Sequence, residues 1–129
     1  MVSILLIDDN TTTAKLIAQH LNKKGFRDVT VVNSSTDAMN LEGPFDVVVS
    51  DLWLHDIDGC DLFPKLHDRW GAVGIALTGS SNTERTTAAG FECHLMKPVS
   101  LTTLVEKLKE ISAKKKNEGG KVSIAENGA

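Results

Sequence analysis

Five side chains of this sequence could do chemistry as a set: Asp8, Asp9, Asp51, Thr78 and Lys97. Three carboxylates gathered in one pocket repel, at about 4 Å by roughly 4 kcal/mol per pair at an effective dielectric of ~20. Such a cluster holds a proton or recruits a hard cation. Carboxylate oxygens, completed by water and a phosphate, suit Mg²⁺, with Mn²⁺ as a substitute. Lys97 would add a point positive charge, and Thr78 a hydroxyl able to donate to an anionic oxygen. Carboxylate, divalent ion, lysine and hydroxyl together make a phosphoryl-transfer site, working by positioning and charge stabilisation. Its nucleophile would be a carboxylate and its product an acyl phosphate. Taken singly, each residue has a plainer reading. Asp8-Asp9 before Asn10-Thr11-Thr12 resembles a helix cap, Asp51 and Thr78 could be loop residues, and Lys97 before Pro98 a solvated turn.

What sets them apart is where the chain puts them. Five apolar runs recur along it: Ser3–Ile7, Asp28–Val32, Phe45–Ser50, Val73–Leu77 and Phe91–Met96. Ile4-Leu5-Leu6-Ile7 and Val47-Val48-Val49 are continuously apolar, the pattern of strands covered on both faces in a parallel sheet. Helical spacing follows each run. Thr13–Lys24 aligns Ala14, Ile17, Ala18 and Leu21 and stops at Gly25; Ser34 can cap a short second helix. Cys60–Trp70 aligns Leu62, Phe63 and Leu66, with Pro64 inside to shorten or bend it. Asn82–Ala89 is Thr-rich and weak, whereas Ser100–Ala113 carries the clearest stripe, Leu101, Leu104, Val105, Leu108 and Ile111. Alternation of this kind predicts a doubly wound α/β sheet with right-handed crossovers. In such sheets ligands bind at the carboxyl ends of the strands. Asp8-Asp9, Asp51, Thr78 and Lys97 follow runs one, three, four and five.

Composition bounds the rest. A chain of 129 residues, 41% apolar and 24% charged, makes one ordinary domain with its own core. A net charge of −3 argues against a basic field for nucleic acid. The longest apolar runs fall far short of the ~20 residues of a membrane span, and Met1–Ile7 has no signal-peptide pattern. Cys60 and Cys93 fit reduced thiols, and the expected location is cytoplasmic. From Lys114 periodicity stops, so residues 114–129 read as a flexible tail or linker remnant after a domain of residues 1–113.

The sequence resembles the receiver domain of two-component response regulators over roughly residues 2–113. The resemblance rests on Ile7-Asp8-Asp9-Asn10, Asp51 with Asp58-Gly59, Leu77-Thr78-Gly79, and Gly90-Phe91 leading to Lys97-Pro98. It implies a flavodoxin-like (βα)5 fold, strand order 2-1-3-4-5, with helices on both faces. It also implies that Asp51 accepts a phosphoryl group from a histidine on a kinase or phosphotransfer protein. Asp9 and Asp51 would hold Mg²⁺ with Asp8 acting mainly through water, joined by the backbone carbonyl of Trp53. Thr78 and Lys97 would hold phosphoryl oxygens, the Lys97–Pro98 bond would be cis, and Thr78 and His94 would switch the surface of the fourth helix, fifth strand and fifth helix. A downstream protein, not nucleic acid or membrane, would read that surface. Such a domain is no enzyme beyond its own phosphorylation and dephosphorylation. His55 stands where proline is usual, His94 where Tyr or Phe is, and bulky Trp53 where smaller residues are common, so Trp53 could shield the acyl phosphate and slow its hydrolysis.

Two other readings use similar parts. A haloacid-dehalogenase-like phosphatase would carry Asp-x-Asp after its first strand, but Asp8-Asp9-Asn10 stands there. A flavodoxin-type carrier could use Asn10–Thr13 as a phosphate loop, yet two carboxylates precede it and the chain has no tyrosine. Within the receiver reading the chain either stands alone or is a module excised from a hybrid sensor histidine kinase or multidomain regulator.

Overall fold

The structure, a computed structural model, describes residues 2–80 and 83–124, of which 115–124 as backbone only. Five strands, β1 (Ile4–Ile7), β2 (Val29–Val32), β3 (Val47–Asp51), β4 (Val73–Thr78) and β5 (Cys93–Met96), pair in parallel in the order β2-β1-β3-β4-β5. The helices between and after them are α1 (Thr11–Lys23), α2 (Ser35–Met39), α3 (Gly59–Trp70), α4 (Glu84–Ala88) and α5 (Leu101–Ile124). This is the flavodoxin-like fold with the strand order expected.

The unbroken apolar runs have a simple cause: every residue of β1 and β3 is buried, because helices cover both faces. On one face Ile4, Leu6, Val47 and Val49 pack with Ala14, Ile17 and Leu21 of α1 and with Leu104, Leu108 and Ile111 of α5. On the other, Leu5, Ile7 and Val48 pack with Ala38 of α2 and with Leu62, Phe63 and Leu66 of α3. Residues of opposite parity on one strand thus serve two cores. Phe63 stacks on Phe91 at 4.4 Å between ring centroids. Gly74 of β4 makes room for them, since a Cβ there would lie 2.5 Å from Phe63 Cζ.

Local caps set the helix ends. Asn10 accepts the Thr13 amide to start α1 two residues before the expected Thr13, and Gly25, at φ +100°, follows its end. Ser34 caps α2 as expected. Pro64 does not shorten α3, which runs uninterrupted from Gly59 to Trp70 with its apolar stripe buried. The fourth helix is reduced to Glu84–Ala88; its expected start at Asn82 lies outside the described residues. The largest difference is at the carboxyl end, where α5 continues to Ile124 through a stretch expected to be an aperiodic tail. Lys114-Lys115-Lys116 are good helix formers, and the backbone continues as helix past Ile111, the last buried apolar residue among those whose burial is described. Residues 125–129 of that expected tail lie outside the described residues.

Candidate functional site

All five chemically capable side chains stand at the carboxyl edge of the sheet. β1 ends at Ile7, and Asp8 continues it, its amide on the Val32 carbonyl and its carbonyl accepting from Asn33 Nδ2 at 2.8 Å. Asp8 Oδ1 also takes the Asn10 amide at 2.9 Å, which turns the chain into α1 and leaves Asp9 beside it. Asp51 closes β3, in register with Leu77, and Thr78 closes β4 one residue later. Parallel pairing of β1 with β3, Ile7 opposite Ser50, brings Asp8, Asp9 and Asp51 to one place. A carboxylate oxygen from each of the three lies within 4.8 Å of the other two.

Burial makes this cluster electrostatically demanding. Asp8 is 2% and Asp51 3% exposed. Burial pushes the Asp8 carboxyl above the ordinary range; the Asn10 amide pulls it down in part, and the Asp51 charge adds to the rise. A cation from within the chain answers: Lys97 Nζ donates to Asp51 Oδ2 at 2.8 Å. Lys97 is delivered by its own amide, which bonds the Thr78 carbonyl at 2.7 Å and prolongs the β4–β5 ladder, and the Lys97–Pro98 bond is cis. The other Asp51 oxygen, Oδ1, accepts the Trp53 amide at 3.2 Å. The three carboxylates, Lys97, Pro98 and apolar residues of α1 and α5 line a cleft of about 510 Å³. A cluster of hard oxygen donors open to such a cleft fits a small divalent cation.

Not every expected residue points at Asp51. The Thr78 hydroxyl, buried, accepts the Ser80 amide at 3.0 Å and so faces its own turn. His94 is exposed on β5, opposite Ala76. The Trp53 indole is 68% exposed, so it covers little of Asp51 at rest.

Three ties around the site are additional to the sequence reading. His55 Nε2 lies 3.4 Å from Asp9 Oδ2. Asp56 reaches from the β3–α3 loop to the head of α2, taking the Ser35 hydroxyl at 2.6 Å and the Ser35 and Thr36 amides. Asp58, noted only as part of a motif, is the N-cap of α3 and pairs with Arg85 of α4 at 2.6 Å. An aspartate directly before Gly59-Cys60 was the one available signal for that cap. Gly59 is required there, since a Cβ would lie 2.6 Å from the Asp51 carbonyl oxygen.

Comparison with known proteins agrees with this geometry. The family described as response regulator receiver domain matches residues 4–109. Hybrid signal transduction histidine kinase D of Dictyostelium discoideum is 30% identical over 128 residues, covering 82% of this chain; the chain spans only 8% of that relative. A CheY-like receiver domain protein from Methanospirillum hungatei superposes with a TM-score of 0.80 at 29% identity, covering 91% of this chain and 98% of that one. The receiver domain of Francisella response regulator 1452 shares the fold, with a TM-score of 0.82 at 24% identity and coverage of 89% and 99%.

Proposed function

The chain belongs to the response regulator receiver domain family, a signalling module of phosphorelays, and from that premise we propose that Asp51 is its phosphoacceptor. The observation that supports this most is the pairing of a buried Asp51 with Lys97 inside a three-carboxylate cluster. A histidine of a partner kinase or phosphotransfer protein brings the phosphoryl group. An Asp51 oxygen attacks phosphorus, an O–P bond forms as the N–P bond breaks, and the leaving imidazole takes up a proton. The transfer makes a mixed anhydride, and its reversal or attack by water removes the group again.

Asp8, Asp9 and Asp51, with the Trp53 carbonyl, would hold Mg²⁺, Mn²⁺ substituting. Such an ion would neutralise charge that builds up on the phosphoryl oxygens. Lys97 already donates to Asp51 Oδ2 and shifts its contact to a phosphoryl oxygen. Thr78 gives up the Ser80 amide and turns its hydroxyl toward the same group. His94 follows, changing the face formed by α4, β5 and α5 for a downstream protein. The receiver unit is residues 1–113, with 114–129 a tail or linker remnant after it.

Among the described residues no helix is long and apolar enough to cross a membrane, and with the net charge of −3 this supports a cytoplasmic protein without direct nucleic-acid contact. The match to a hybrid histidine kinase supports the second reading, a receiver carried within such a kinase; its chemistry at Asp51 is the same. The haloacid-dehalogenase-like alternative is not supported, because the acceptor candidate closes β3 rather than β1.

Phosphotransfer from phosphorylated histidine kinases to wild type and Asp51→Asn, with Mg²⁺ and with chelator, tests the proposal. Wild type should accept phosphate only with the cation, and Asp51→Asn not at all. Equal labelling of Asp51→Asn would overturn the assignment.

A further inference from the structure

Two loops leave the acidic edge of the sheet, one from Asp51 to α3 and one from Thr78 to α4, and an ion pair joins them. Asp58 belongs to the first and is held firmly: its Oδ1 caps the Cys60 amide at 2.8 Å, and it forms an antiparallel bridge with Trp53. Trp53 in turn donates its amide to Asp51 Oδ1. Arg85 lies just past the second, in α4. It sits in a helix of five residues whose N-cap, Thr83, makes no side-chain capping bond, and whose buried residue is Thr86. A helix this short does not stand on its own hydrogen bonds. Its placement depends on what ties it down, and Arg85 Nη2 donates to Asp58 Oδ2 at 2.6 Å.

We propose that the Arg85–Asp58 ion pair is a latch that fastens α4 to the head of α3 in the unphosphorylated protein and weakens when Asp51 carries a phosphoryl group. The proposal rests on Asp51 being the acceptor. Each end of the pair is linked, through one intervening residue or a short run of chain, to atoms that must rearrange. On one side, a phosphoryl group on Asp51 changes what the Trp53 amide can bond, and Trp53 is paired with Asp58. On the other, Thr78 must leave the Ser80 amide, and the chain from Thr78 leads into α4. A contact stronger in one state than in the other biases the equilibrium by that difference alone.

The test is titration of the whole chain with beryllofluoride in Mg²⁺, followed by tryptophan emission and by hydrogen exchange at amides 85–89. Removing the latch in Arg85→Gln should tighten beryllofluoride binding by about two- to fivefold, the scale of a partly exposed ion pair. Amide protection in α4 should fall in the ligand-free protein and differ little from wild type once beryllofluoride is bound. Asp58→Asn keeps an N-cap for Cys60 and should match Arg85→Gln, with no further gain in the double variant; Arg85→Lys should return toward wild type. If Arg85→Gln lowers thermal stability but leaves beryllofluoride affinity unchanged, the pair is merely structural and the latch is overturned. Failure of folded wild type to bind beryllofluoride, or binding that survives Asp51→Asn, would contradict the acceptor assignment and the latch with it.

Discussion

Both oxygens of Asp51 are engaged, one by Lys97 and one by the Trp53 amide, in a place that is 3% exposed. The Trp53 side chain contributes less than its size suggests. An indole 68% exposed covers little of the buried carboxylate, so Trp53→Asn should leave the lifetime of the phosphorylated protein little changed. A several-fold shortening, read by loss of label over time, would show that the ring folds over the site after phosphorylation. Asp58 makes a pH prediction. Its carboxyl is held below the ordinary range in the folded chain, so its contribution to stability is present above the unfolded value of about 3.9 and is lost as pH falls through the lower folded value. The stability difference between wild type and Arg85→Gln, measured by denaturant titration, should therefore persist at neutral pH and vanish in strong acid. A difference independent of pH would mean that Arg85 acts through packing. Asp8-Asp9, Asp51 and Lys97 were legible because the pair and the two single residues each follow an apolar run. The contacts of His55 with Asp9, of Asp56 with Ser35 and of Arg85 with Asp58 were not, because residues twenty or more positions apart carry no periodic signal of contact, as with Asp58 and Arg85 at a separation of 27.

Elements were legible where burial imposes a period and obscure where it does not. The stripe of α5 from Leu101 to Ile111 and the solid runs of β1 and β3 show in the residues themselves, since each faces a core. Beyond Ile111 the sequence carries no apolar period, so nothing in it signals the helical backbone that runs to Ile124. Pro64 does not cut α3 short, because Leu62, Phe63 and Leu66 hold the helix on the sheet around it. Packing at the α3–β4 contact is tight enough to test. Gly74→Ala places a methyl 2.5 Å from Phe63 Cζ and 2.8 Å from Phe91 Cδ1. It should cost about 1–3 kcal/mol by denaturant unfolding, the usual penalty of overpacking. A neutral result would show that the stacked ring pair shifts freely.

For the molecule as a whole, the strand order β2-β1-β3-β4-β5 turns scattered residues into a site. It sets β1 beside β3, so that Asp8 and Asp9 meet Asp51 across some forty residues of chain, and β4 beside β5, so that Lys97 follows Thr78. The fold therefore concentrates negative charge at one edge and leaves a cation to relieve it. Mg²⁺ should raise the thermal midpoint, by an added stability of about 2.7 kcal/mol at a hundredfold excess over its dissociation constant. That gain should disappear in Asp9→Asn if Asp9 is a ligand. The most direct measurement of the central claim is the position of the acyl phosphate. Wild type incubated with Mg²⁺ and a small phosphodonor, then reduced with borohydride and sequenced by mass spectrometry, should carry homoserine at position 51 and nowhere else. Homoserine at position 8 or 9, with Asp51 intact, would contradict the account.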